Sequence, residues 1–189
     1  DADSALRLAI VDIKDGNAQA GLSVLNERAE FGDLYAKYDI GVCNELGLGM
    51  EKNIDKAFDI YTECANIGMY VAQARIFAAA CKDIPSAQNG DFFRRITDRK
   101  FDGAFAVMID GLIEIKKRHA ADASEKFLQA VKMRDKWEGV ARCLVGTLYI
   151  DRGKLPQDRY NGVEYIGSAL DLWSGAKDIY AVLPKIKVK

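Results

Sequence analysis

The sequence predicts an all-α protein: a right-handed α-solenoid of about five stacked helix-turn-helix repeats. Three observations carry that expectation. Apolar residues recur at intervals of three and four along the chain, and no segment alternates with period two, so strands are not expected. Gly16, Gly47, Gly49 and Gly68 stand where that spacing breaks, and glycine supplies the positive φ values that end helices. The chain also overlays on itself. Leu22 to Gly41 laid on Phe58 to Phe77 matches Ala29 with Ala65, Gly32 with Gly68, Ala36 with Ala72 and Ile40 with Ile76, at the interval of helical repeat arrays.

Taken in order, residues 4–15 are amphipathic, with Ala5, Leu8, Ala9, Asp12 and Ile13 on one side, and end at Gly16. Residues 19–30 follow with Leu22, Leu25 and Ala29 inward. Residues 34–46 place Ala36, Ile40 and Cys43/Asn44 on one face, and Gly47 with Gly49 turns the chain. Asn53 is the N-cap of a helix over 53–67 that buries Ile54, Ala57, Phe58, Tyr61 and Ala65 and stops at Gly68. Ala36, Gly41, Ala57, Cys64, Ala65 and Ala72 are undersized where helices must approach closely. Residues 69–82 are so apolar that they read as the most buried helix, and 82–89 reads as a loop before a short polar helix at 91–100. Residues 103–118 use Phe105, Ile109, Leu112 and Ile113, and pair with 120–134 through Ala123, Phe127, Ala130 and Val131. Residues 137–151 and 158–173 make the last hairpin. Residues 174–183 form a short capping helix, and 184–189 a basic tail. The whole of 1–183 is expected to be a single array, clearest at about 20–75 and 139–173.

Composition bounds the class. The 189 residues are 49% hydrophobic and 29% charged, as in a folded globular chain rather than a disordered one. Net charge is −1, so no global field recruits nucleic acid or an anionic membrane. No apolar run approaches a membrane span. The first residue is Asp1, which fits either removal of a signal peptide or a cut at a domain edge. Cys43, Cys64, Cys81 and Cys143 show no C-x-x-C or Cys/His spacing for zinc and read as buried free thiols.

The stretch from Ala36 to Gly68 resembles a Sel1-like repeat, a relative of the tetratricopeptide repeat. The residues that carry the likeness are Ala36, Ile40, Gly41, Gly47, Gly49 and Met50, then Lys56, Ala57, Ile60, Tyr61, Cys64, Ala65 and Gly68. Asn44 stands for the usual tyrosine, Ile60 for the tryptophan and Asn53 for the aspartate. A partial copy runs from Leu144 to Tyr149, keeping Gly146 and Tyr149 but delaying the turn glycine to Gly153. The resemblance implies a bacterial adaptor, periplasmic or secreted or else cytoplasmic, whose concave groove binds another protein, such as an envelope, signalling or secreted effector protein. It also implies two alternatives: an immunity protein that neutralises a secreted phospholipase effector of the type VI kind, and a weak beta-lactam hydrolase of the cysteine-rich type. The latter group carries a C-x7-C pair in each repeat, and this chain has none.

No residue pattern demands an active site, so no enzyme, metal or cofactor is expected. His119, the only histidine, follows Lys116, Lys117 and Arg118 at a helix end, where cations suit the dipole. The NELGLGM glycines lack the preceding strand and the Gly-Lys-Ser/Thr ending of a phosphate loop. Arg94, Arg95, Arg99 and Lys100 are interleaved with acids and read as a solvated mixed face. What remains is the surface created by stacking. The first helices of the hairpins would expose Tyr35, Tyr38, Asp39, Asn44, Glu45, Arg75, Asp110, Glu114, Arg142 and Tyr149 to a protein partner, tyrosine and arginine being enriched where partners bind tightly.

Overall fold

A computed structural model describes residues 9–10, 12–13, 15–83, 96, 101–152 and 156–172. Among these there are eight helices and no strand, and Ala9, Ile10, Asp12, Ile13 and Ile96 are helical as well. The expected loop at 84–89, the remainder of the helices at 4–15 and 91–100, the arginines at 94, 95 and 99, Gly153, the capping helix and the tail lie outside the described residues. The chain divides into two compact units, Asp1–Ile76 and Phe77–Lys189.

The first unit holds α1 (Ala18–Glu30), α2 (Leu34–Leu46), α3 (Ile54–Asn66) and the opening of α4 (Tyr70–Asp83). Helix starts follow local chemistry. The Asp33 carboxylate accepts from the Tyr35 and Ala36 amides at 3.0 and 3.2 Å, and Asn53 accepts from the Lys56 amide at 2.9 Å. Burial pulls the Asp33 pKa up, but the Ala36 amide and then Arg28, which holds the carboxylate at 2.7 Å, keep it below the usual range.

The self-overlay reappears as backbone geometry. At the end of α1, Phe31, Gly32 and Asp33 donate their amides to Glu27, Ala29 and Arg28, with Gly32 at φ 87°. At the end of α3, Ile67, Gly68 and Met69 donate to Glu63, Ala65 and Cys64, with Gly68 at φ 92°. The same left-handed cap closes both helices because both need an amide turned back onto the final carbonyls. Ala9, Ile13, Leu25, Ala36 and Cys43 form a buried cluster, and α2 packs on both α1 and α3. The small residues sit where expected: Ala36, Ala57, Cys64 and Ala72 are fully covered, and Gly41 lies against the Tyr61 ring.

The second unit holds the rest of α4, then α5 (Gly103–Lys116), α6 (Ala120–Met133), α7 (Glu138–Arg152) and α8 (Pro156–Leu172), with successive helices from α5 onward packed together. Its α5–α6 turn repeats the cap of the first unit: Lys117, Arg118 and His119 donate to Ile113, Ile115 and Glu114. Here Arg118 occupies the left-handed position at φ 67°, so an ordinary residue bears the strain that glycine avoids elsewhere. Trp137 is 1% exposed and anchors the core between Phe77 and Phe105.

Burial is not confined to the helix over 69–82: α7, between α6 and α8, buries Val140, Ala141, Cys143, Leu144, Val145 and Leu148. By contrast α4 leaves Val71 40% exposed. The helix expected to end at Lys82 also continues to Asp83. All four cysteines are free and buried, and burial pushes the Cys81 thiol up to about 12 and Cys143 to about 11, so neither is a thiolate at neutral pH.

Candidate interaction surface

In the first unit, α2, α3 and α4 bring four polar and aromatic side chains together. Tyr61 on α3 donates its hydroxyl to Glu45 Oε2 at 2.7 Å. Arg75 on α4 donates to the same oxygen from Nε at 2.9 Å and from Nη2 at 2.7 Å. The Arg75 guanidinium carbon also sits 5.9 Å from the Tyr61 ring centroid, and Tyr38 on α2 packs on that ring at 5.3 Å. Burial and the bond to Glu45 drive the Tyr61 pKa far up, so it stays a hydroxyl donor. Burial opposes the Arg75 charge, and Glu45 outweighs it. The cluster is a fixed ledge of two rings and an ion pair, each member restraining the next.

Asp39 lies beside this ledge and differs from it. No hydrogen bond or ion pair reaches its carboxylate among the described residues, while burial, followed by the nearby Asp33 charge, raises its pKa from 3.8 to about 6. The raised value means that the fold favours the protonated form. Destabilisation by Asp39 is therefore absent below about pH 4, grows through pH 6 and is complete above it. We expect Asp39→Asn to raise stability by about 1–2 kcal/mol at pH 7.5, after allowance for solvent screening, and to change nothing at pH 4. Urea unfolding of both proteins at the two pH values measures this, and an equal gain at both would mean that the carboxylate charge is not the cause.

The other sequence-derived positions fall into three groups. Tyr35 projects from the first turn of α2 and is 65% exposed. Asn44 corrects an expectation: it is 2% exposed, because its amide donates to the Ile40 carbonyl one turn back and so can enter the core satisfied. The remaining four lie in the second unit. Asp110 is exposed, 3.9 Å from Lys126. Arg142 is held by Glu138 at 2.7 Å and donates to the Ser168 hydroxyl at 3.2 Å, while Tyr149 stacks on Tyr165 at 6.0 Å. Glu114 bonds Lys117 at 2.8 Å and His119 Nδ1 at 2.9 Å, and these two, in that order, hold its carboxyl low. With Asp122 they bring three ligand atoms within 4.8 Å of one another, near enough to share a divalent cation, although Lys117 already occupies Glu114.

The structure thus joins Tyr38, Glu45 and Arg75, with Asp39 alongside, into one surface. Sequence reasoning missed Tyr61, which reads as core and is core, yet turns its hydroxyl to Glu45. It also missed Glu138, Ser168 and Tyr165, which no periodic signal singles out. No helix among the described residues is long and apolar enough to cross a membrane. No protein family, no curated protein and no solved structure matches this chain.

Proposed function

We propose that this chain is a non-enzymatic interaction module of the Sel1-like kind, its hairpins continuing as one right-handed solenoid, that holds a partner protein or peptide on the face formed by α2 and α4. The observation that carries the reading is Asp39, a half-buried carboxylate with no partner among the described residues, set beside the exposed Tyr35 and the braced Tyr38–Tyr61–Arg75 ledge. A group left in this state costs stability, and a partner donating an ammonium, guanidinium or amide hydrogen to it would recover that cost. The adjacent Tyr35 and Tyr38 rings, the latter backed by the buried Tyr61, offer rigid contact area at little entropic expense. The ion pair to Glu45 makes Arg75 a support for the surface rather than a free contact.

The test begins with capture of the partner from the native host and its identification by mass spectrometry, followed by affinity measurements on variants. Asp39→Asn should unfold later than the parent at neutral pH yet bind its partner at least about tenfold more weakly, and Tyr35→Ser should weaken binding with folding intact. Opposite movement of stability and affinity separates a binding role from a structural one. Unaltered affinity in both variants would move the site elsewhere. A phospholipase effector in the captured complex would define the module as an immunity protein.

A further inference from the structure

A second feature of the first unit follows the repeat interval, lies outside the core and shares only Tyr35 with the α2–α4 surface. Phe31 is 85% exposed and Tyr35 65%, while Ile67 is 63% exposed and Val71 40%. Phe31 and Ile67 are the C-cap residues of α1 and α3, and Tyr35 and Val71 stand in the first turns of the helices that follow. The two turns lie at the same end of the unit, since Lys37 Nζ near the start of α2 is 2.5 Å from Glu63 Oε2 in the last turn of α3. Half of the large exposed apolar side chains among the described residues therefore gather at one edge, where scattered single residues would be ordinary.

The turn itself does not require them. In the α5–α6 turn, which has the same hydrogen bonds, Lys117 and Ala121 occupy the corresponding places. Charge then selects the occupant. Arg28 is committed to Asp33 and Lys37 to Glu63, so both cations at this edge among the described residues are paired with acids. Glu27 and Glu30 remain exposed on the last turn of α1, along a shallow depression that includes Leu22. An apolar edge with surplus acid repels anionic lipid and suits an apolar segment flanked by cations.

We propose that this edge docks a basic amphipathic helix of a partner protein, with apolar side chains seated on Phe31 and Ile67 and lysine or arginine meeting Glu27 and Glu30. This goes beyond the α2–α4 surface and does not depend on it, since neither Phe31 nor Ile67 belongs to that surface. The probe is a short fluorescein-labelled amphipathic leucine/lysine peptide, measured by fluorescence anisotropy on the full chain, with a leucine/glutamate peptide of the same pattern for comparison. The Phe31→Ser/Ile67→Ser protein should bind the basic peptide at least about tenfold more weakly, with an unchanged circular dichroism spectrum and melting curve. Tyr160→Ser/Val163→Ser, which removes a similarly exposed apolar pair elsewhere, should leave binding as it was. Equal affinity for the acidic peptide, an equal loss in the Tyr160/Val163 protein, or full binding by the Phe31/Ile67 protein would each overturn the proposal. So would light scattering that shows the unmodified chain dimerising through Phe31 and Ile67, because the occupant would then be a second copy.

Discussion

Replacing Trp137 with alanine is expected to cost about 3–5 kcal/mol and to lower the melting temperature by about 10 °C. The indole is 1% exposed, and its ring centroid lies 5.2 Å from Phe77 and 5.2 Å from Phe105, both tilted to it. Such offset aromatic contacts add to simple burial. Position also matters, because Trp137 belongs to the short link between α6 and α7 rather than to either helix. The link is shaped for it. Arg134 takes a left-handed conformation at φ 52°, and Asp135 accepts the Trp137 amide at 2.7 Å, which swings the indole inward before α7 begins. Truncation leaves a cavity whose wall is fixed by this turn and by two rings already committed to their own neighbours, so relaxation can recover little. Met133→Ala, at a site 45% exposed, should change stability by less than about 0.5 kcal/mol. Thermal unfolding followed by circular dichroism compares the two, and similar small shifts would show that Trp137 does not anchor the second unit.

What could be read from the sequence is the part set by local chemistry. The helix over 34–46 was legible to the residue, because Asp33 caps its start and Gly47 its end. Asn53 marked a helix start for the same kind of reason, since its side chain satisfies an amide that the first turn leaves unpaired, whereas the helix expected from 158 begins two residues earlier, at Pro156. The interval separating Gly32 from Gly68 survived as two superposable sets of three backbone bonds. The third such turn was expected between 103–118 and 120–134, but its likeness to the other two was hidden because Arg118 stands where a glycine would have signalled it. Gly111 was hidden for a related reason. It lies inside a helix and so looks like an accident of composition, whereas its missing side chain admits the Phe127 ring.

The candidate surface was less legible than the fold. Tyr35 and Asp39 could be placed on an outward helical face by spacing alone. The Glu45 contacts join residues 16 and 30 positions apart, and no periodicity reports which donors will converge on one carboxylate. Asn44 inverted its expected placement because a single bond to its own helix removes the penalty of burying an amide. Asp39 shows the opposite imbalance, polar and half-buried with no such bond, and only three-dimensional surroundings distinguish the two. An unpaired group of this kind is where a chain departs from best packing, which is why the functional reading rests there.

Gly146→Ala should destabilise the protein by about 2–3 kcal/mol, although alanine is the better helix former by about 1 kcal/mol. The reason is how closely α7 approaches α8. A Cβ on Gly146 would lie 2.6 Å from the Gly162 carbonyl oxygen and 2.6 Å from Ile166 Cγ1, and one on Gly162 would lie 2.8 Å from the Gly146 carbonyl oxygen. Side chains can change rotamer to avoid a new methyl, but a helix backbone can only move as a body, so the pair must separate along its length. Gly167, on the same α8, has nothing within 4 Å of its missing Cβ, and Gly167→Ala should stabilise by about 0.5–1 kcal/mol. The same substitution is thus expected to act with opposite signs in one hairpin, which isolates helix contact from helix propensity. The double variant Gly146→Ala/Gly162→Ala carries the argument further. Once one methyl has driven α7 and α8 apart, the second meets less resistance, so the pair should cost at least about 0.5 kcal/mol less than the sum of the single changes. Additive losses in urea unfolding would mean that the two glycines do not share one crossing. A stabilised Gly146→Ala would mean that the helices stand farther apart than the geometry has them.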